Sequence, residues 1–343
     1  MVNVNGQLQV VDGQQVECGL EGVRVLDMST TLPGPYCSQL LRRLGADVIS
    51  IEPPEGDSMR SLSAAAFGHL AAGKQSVRAN FKDQNDREMV LNLSRHADVV
   101  IEGWRPGVAN RLGVGFVDVL ATNPRVVYCS LTGYGQVGEL SSLPGHEINY
   151  VAESGALDYL LADGLPIGDL SGGLAAALRV TSALRQVYRS GKGVHLDVSL
   201  TGALWDFVDA LGGADIGNFF QFRRWPHYGR FVTSDGQTVT LGVAREDRLW
   251  AALVVALGRS EWAEMPVHER EARYTEVHDF LSSRIVSMSL SQVEALLGQT
   301  DTCWATSRPP GAAPRTGGRL PLIPGPIADL DEHGGQYRKA TPQ

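Results

Sequence analysis

Val23-Arg24-Val25-Leu26, Ser29-Thr30-Thr31-Leu32-Pro33-Gly34-Pro35 and Asp47-Val48-Ile49-Ser50-Ile51 decide the fold class between them. The first is a continuous apolar run of strand length, the second carries turn chemistry, and the third is another strand. Pro35 suits a first helical turn, Leu40, Leu41 and Leu44 keep one face apolar, and Gly45 fits a C-terminal cap, so residues 35–44 are predicted helical. Strand, turn, helix, strand opens a parallel α/β unit. The pattern recurs as a helix over about 86–96, a strand at 98–101 and another at 126–130. The first half is therefore expected to be a Rossmann-like open parallel sheet. Leu32-Pro33-Gly34-Pro35 is not GxGxxG, and no Walker A loop is present, so the fold class does not name a ligand.

Outward from this core, residues 1–19 read as an N-terminal extension and 20–200 as a large Rossmann-like domain. The clearest helix spans 174–189 and ends at Ser190-Gly191-Lys192-Gly193, with a new element beginning at His195. Residues 201–228, with Gly212-Gly213 among them, read as a linker. A smaller α+β domain is expected over 229–300, with a hairpin at 231–241 and helices from 248 to 297. The tail, 301–343, contains Arg308-Pro309-Pro310-Gly311 and a proline-bounded stretch at 321–326; it is expected to be loop-like and to return toward the large domain.

Composition narrows the function classes. The chain has 343 residues, with 30 Lys+Arg against 38 Asp+Glu and no block of like charge, which argues against nucleic acid and against an anionic membrane surface. No run of eighteen apolar residues occurs, and residues 1–17 lack a charged leader with an apolar core, so neither a membrane span nor a signal peptide is expected. Cys18, Cys37, Cys129 and Cys303 are scattered without a CxxC pair, which fits reduced thiols in the cytoplasm. The histidines show no metal-ligand spacing, so no metal site is expected.

One stretch remains for chemistry. Pro144-Gly145-His146-Glu147-Ile148-Asn149-Tyr150 and Gly168-Asp169-Leu170-Ser171-Gly172-Gly173 place a histidine and an aspartate on short glycine-bounded segments. An imidazole with a pKa near ~6.5 and a carboxyl shifted by burial can exchange acid and base roles at one carbon near neutral pH. Plainer readings are a satisfied buried histidine for His146 and a helix N-cap for Asp169.

The chain resembles the family III CoA transferases (CaiB/BaiF family), over roughly residues 20–300. The resemblance rests on Leu20-Glu21-Gly22-Val23-Arg24-Val25-Leu26-Asp27, Pro33-Gly34-Pro35, Leu44-Gly45-Ala46-Asp47-Val48-Ile49, Ala97-Asp98-Val99-Val100-Ile101-Glu102 running into Arg105-Pro106-Gly107-Val108, and Thr132-Gly133-Tyr134-Gly135-Gln136. Gly145-His146-Glu147-Ile148-Asn149-Tyr150 is similar to the motif of the α-methylacyl-CoA racemase branch, which has Asp in place of Glu147. That branch implies His146 and Asp169 as the acid/base pair and Glu246 as the residue that orients His146. Asp247 is a possible substitute for Glu246, because one residue is inserted here. Glu246 reads equally as a solvated helix start.

The resemblance further implies Tyr150 as a donor to Asp169, with Glu147 beside the pair. The amides around Ser171, Gly172 and Gly173 at a helix start would stabilise an enolate. Pro33, Gly34, Pro35, Lys74 and Arg105 are the implied CoA contacts. Ser50, Pro53 and Ala72 stand where the family generally carries basic or polar residues. The expected activity is racemisation or epimerisation at the α-carbon of an acyl thioester of the 2-methylacyl-CoA type, with no cofactor beyond CoA as part of the substrate. Two alternatives stand beside it: CoA transfer, with Asp169 as nucleophile forming an acyl anhydride, and a diverged enzyme or binding protein for a carrier-protein thioester or a non-CoA ligand. An interlocked homodimer is implied.

Overall fold

Six strand runs pair as their apolar character requires. In a computed structural model of the chain, describing residues 10–11, 14–15, 19–159, 164–219, 224–308 and 325–339, they form one parallel sheet. Its strands are β1 (Arg24–Asp27), β2 (Asp47–Glu52), β3 (Gln75–Arg78), β4 (Val99–Glu102), β5 (Val127–Thr132) and β6 (Val194–Ser199). The spatial order is β3-β2-β1-β4-β5-β6, that of a doubly wound sheet whose strand order reverses between β1 and β4. The register sets Val25 beside Val48 on one side and Val99 on the other. Every residue of β4 and β5 is buried, as in strands covered on both faces.

Alternate side chains feed two layers. Val25, Val99, Ile101, Val127 and Cys129 pack with Cys37, Leu40 and Leu41 of the Pro33–Arg43 helix and with Ala176, Ala177 and Val180 of the Ile167–Ser190 helix. Leu26, Ile49, Val100 and Tyr128 share the opposite layer with Met89 and Val90 of the Gln84–Ser94 helix. The expected Rossmann-like parallel sheet is present.

Three elements differ from the sequence reading. The long helix begins at Ile167 rather than 174. Gly172 and Gly173, read as its boundary, lie inside it at close approaches: a Cβ on Gly173 would sit 2.6 Å from the Pro33 carbonyl oxygen, and one on Gly172 3.2 Å from Leu200 Cα. Residues 201–228, read as a linker, open within a helix, Leu200–Ala210, that buries Leu200, Thr201, Ala203 and Leu204. The tail, read as loop, contains a short strand, Trp304–Thr306, and a helix, Gly334–Lys339. Pro309, Pro310, Gly311 and residues 321–324 lie outside the described residues, as does most of 1–19, where Val10–Val11 pairs antiparallel with Gln14–Gln15.

Residues 329–338 cover the free edge of β3. The Ser76 N–H donates to His333 Nδ1 at 3.3 Å, the His333 N–H donates back to the Ser76 carbonyl at 3.0 Å, and the Arg78 N–H donates to Asp331 Oδ1 at 2.9 Å. Occupying edge amides in this way removes a template for unwanted strand pairing.

The chain divides into two compact units, Met1–Ala210 with Gly318–Gln343, and Leu211–Gly317. The second has an antiparallel sheet of β7 (Tyr228–Val232), β8 (Thr238–Gly242) and β9 (Trp304–Thr306) with β8 in the middle. Its own core gathers Trp250, Leu253, Val277, Leu281 and Val293.

Candidate active site

The histidine is delivered by the chain leaving the C-terminal end of β5. At Gly133 the carbonyl accepts the Thr201 N–H at 3.1 Å and the Thr201 hydroxyl at 3.0 Å. A Cβ on either Gly133 or Gly145 would run into the ring of Tyr150, so both glycines make room for that ring. The Tyr150 hydroxyl donates to the Gly145 carbonyl, and its ring meets Tyr134 edge-on at 5.1 Å between centroids. This fixes the entry to the Glu147–Glu153 helix, whose N-cap is the exposed His146; the His146 N–H donates to Asn149 Oδ1 at 3.0 Å.

The aspartate is delivered by the first turn of the long helix. Glu147 joins the two segments: the amides of Gly168 and Asp169 donate to its Oε1 and Oε2 respectively, at 2.8 Å each. These are two of the N–H groups that a helix start leaves without an internal acceptor. The structure thus brings together His146, Glu147 and Asp169. Burial raises the Asp169 carboxyl to about 6, the Glu147 charge adds to the shift, and His146 opposes it. Burial also lifts the Tyr150 phenol to about 12, with the charge on Asp169 contributing.

Several predicted roles are corrected. Tyr150 gives its proton to the Gly145 carbonyl rather than to Asp169. Ser171, Gly172 and Gly173 sit in the second turn of the long helix, where amides are already used by the carbonyls four residues back, so they cannot serve an enolate. Lys74 is no surface cation. It is buried, and its ammonium donates to the Pro35 carbonyl at 2.8 Å and to Ser38 Oγ at 2.7 Å, with Asp27 Oδ2 at 3.7 Å. Burial lowers its proton affinity, against the Asp27 charge. Lys74 therefore clamps the start of the Pro33–Arg43 helix.

Pro33, Gly34 and Pro35 form that start; Gly34 and Pro35 are buried, and a Cβ on Gly34 would strike Ser29. Arg105 is exposed after β4. In the second unit Glu246 is an exposed N-cap whose Oε2 accepts the Ala244 N–H at 3.0 Å. Asp247 takes an ion pair with the buried Arg270, so its carboxylate is committed.

The sequence reading missed a second charged cluster beside β1 and β2. Arg60 donates to both oxygens of Glu52, at 2.8 and 2.7 Å, and lies 4.3 Å from the centroid of the Phe67 ring. Asp57 accepts the Thr31 amide at 3.1 Å and the Met59 amide at 2.8 Å. Glu52, Asp57 and Arg60, with Asp27, Ser50 and Lys74, line a cavity of ≈ 30 Å³, about the room for one or two waters. The available signal was Glu52, Asp57 and Arg60 clustered after a strand. Among the described residues no group of three or more His, Cys, Asp or Glu side chains is arranged to hold a metal.

Fold and site together define an α/β enzyme built on a doubly wound parallel sheet. Residues 20–316 match CoA-transferase family III, and the chain belongs to that family. It is 33% identical to the acetyl-CoA:oxalate CoA-transferase of Acetobacter aceti, over 77% of this chain and 71% of that one. It is 29% identical to the alpha-methylacyl-CoA racemase of Mus musculus, over 83% and 76%. A CAIB/BAIF family protein from Brucella suis shares the fold with a TM-score of 0.81 at 24% identity, covering 95% of this chain and 100% of that chain. Other relatives that bear a CoA-transferase name include the succinyl-CoA:glutarate CoA-transferase of Homo sapiens, 30% identical over 64% of this chain and 55% of that one. No described helix is long and apolar enough to cross a membrane.

Proposed function

We propose that the protein is a racemase or epimerase acting at the α-carbon of an acyl thioester, of the 2-methylacyl-CoA type. The observation that carries this reading is the junction of His146 and Asp169 through Glu147. Acyl transfer through a carboxylate nucleophile needs no imidazole beside it; inversion at a carbon needs two groups. One group takes the α-proton and leaves an enolate, and the other returns a proton to the opposite face. The positive end of the Ile167–Ser190 helix dipole favours negative charge at that place. Arg105 is the proposed phosphate contact, since Lys74 is internal. A homodimer belongs to the same reading.

Incubation of a 2-methylacyl-CoA in heavy water, without any acceptor acid, tests it. Deuterium is expected at the α-carbon of the unaltered protein's substrate, and His146→Ala and Asp169→Asn are each expected to reduce inversion of that carbon by about 10²–10⁴-fold, with the circular dichroism spectrum unchanged. Full-rate inversion in either variant overturns the pair.

CoA transfer through Asp169 is the second reading, supported by the likeness to acetyl-CoA:oxalate CoA-transferase. It requires an Asp169 acyl adduct that hydroxylamine traps, with acyl transfer to a free carboxylic acid and no α-exchange. A carrier-protein thioester or non-CoA ligand is a third reading, favoured by the loss of Lys74 to the interior. Tight, salt-sensitive binding of free CoA by calorimetry counts against it.

A further inference from the structure

We propose that Glu147 is the positioning residue of the acid/base pair, tying the backbone that carries Asp169 to the helix start that carries His146. This rests on the racemase reading above and goes beyond it by assigning the residue that holds the pair in register. The geometry is specific. His146 is the N-cap and Glu147 the first residue of one helix, while Gly168 and Asp169 are in the first turn of another. The two Glu147 oxygens take one amide each, at 2.8 Å. A carboxylate on two N–H groups makes charge-assisted bonds that are stronger than neutral ones, and it cannot slide along the helix without losing both.

Gly168 completes the fit, because a Cβ there would lie 2.9 Å from Glu147 Oε2 and 3.2 Å from Leu204 Cδ1. Side-chain length matters as well: an aspartate, one methylene shorter, would have to shift its backbone to reach the same two amides.

The bridge has an electrostatic consequence. The groups acting on the Asp169 carboxyl are Glu147 and His146, and Tyr150 is itself raised by the charge on Asp169. Glu147 adds negative charge beside a carboxyl already short of solvent, so it keeps Asp169 partly protonated near neutral pH. His146, when protonated, pulls the other way. A residue that only supported the fold would hold the amides without moving the titration of Asp169.

Glu147→Gln is the test. Gln keeps the shape, accepts one amide and opposes the other with an NH₂ group, and it removes the charge. Carbon NMR of the Asp169 carboxyl in the substrate-free protein is expected to show its midpoint falling from about 6 toward the ordinary aspartate value near ~3.9. Exchange is expected to lose about 10²-fold in kcat from the misplacement, with KM changed far less. An unmoved Asp169 midpoint overturns the proposal. So does faster exchange, which would make Glu147 an occupant of the two amides that substrate must displace. The NMR midpoint needs no turnover: if it moves while the unaltered protein exchanges no α-proton, the bridge stands and the racemase reading falls.

Discussion

Asp169 is the residue whose chemistry is most open to measurement. Its carboxyl is raised to about 6, so its proton affinity in the folded chain exceeds that in the unfolded one. A group shifted upward contributes stability below its unfolded pKa and loses it as pH rises through the folded one. Between about pH 4 and 6 the folded state should therefore lose stability as Asp169 ionises. Asp169→Asn should consequently melt higher than the unaltered protein at pH 7.5, by about 1 kcal/mol once solvent screening is discounted, and the difference should vanish near pH 4. In the direction where Asp169 is the base, kcat/KM should rise through pH 6 as its carboxyl ionises. A melting difference independent of pH, or a flat rate profile from pH 5 to 7, would contradict this. His146 and Asp169 were both legible as a pair, because glycine-bounded segments carrying titratable groups stand out from apolar scaffold. Lys74 was misread for a physical reason: its burial depends on Asp27, Pro35 and Ser38 converging from far along the chain, and nothing local to Gly73-Lys74 announces it.

The strands were legible because parallel strands covered on both faces read as unbroken apolar runs; Val99, Val100 and Ile101 are fully buried. Helix starts were harder. Ile167-Gly168-Asp169-Leu170-Ser171-Gly172-Gly173 carries three glycines, each costing a helix about 1 kcal/mol relative to alanine, so local propensity places the start too late. Packing reverses that, since Gly173 lets the long helix touch the Pro33 carbonyl and Gly172 lets it touch Leu200. The same contact hid the Leu200–Ala210 helix, whose buried face only makes sense against its neighbour. Gly173→Ala sets the two effects against each other. Helix propensity favours alanine by about 1 kcal/mol, while a Cβ 2.6 Å from a backbone oxygen forces a backbone shift costing about 1–3 kcal/mol. Because backbone cannot swing aside as a side-chain tip can, the clash should win. A lower urea midpoint with an unchanged slope is the expected result, and a higher midpoint would show that the helix relaxes without cost.

The remaining question for the molecule is what covers its long helix. Leu174, Leu178 and Tyr188 are 52%, 70% and 82% exposed, and their spacing returns them to one face of the Ile167–Ser190 helix. Trp205 and Phe207 of the Leu200–Ala210 helix add further exposed apolar surface in the same unit. A monomer leaves these side chains in water at about 25 cal/mol per Å² of apolar area, and exposed apolar side chains gathered on one helix face point to an association surface. A second copy of the chain is the proposed occupant. In a two-fold interface the same patch appears on both sides, so one substitution is felt twice. Leu178→Glu would set like charges on both partners in place of two leucines, and helix propensity would hardly change. Light scattering should give the unaltered protein a mass near twice 36.9 kDa and the variant a mass near 36.9 kDa, with matching circular dichroism. An unaltered protein that elutes at the single-chain mass at all concentrations tested would remove the dimer, and the stripe would then need a different partner.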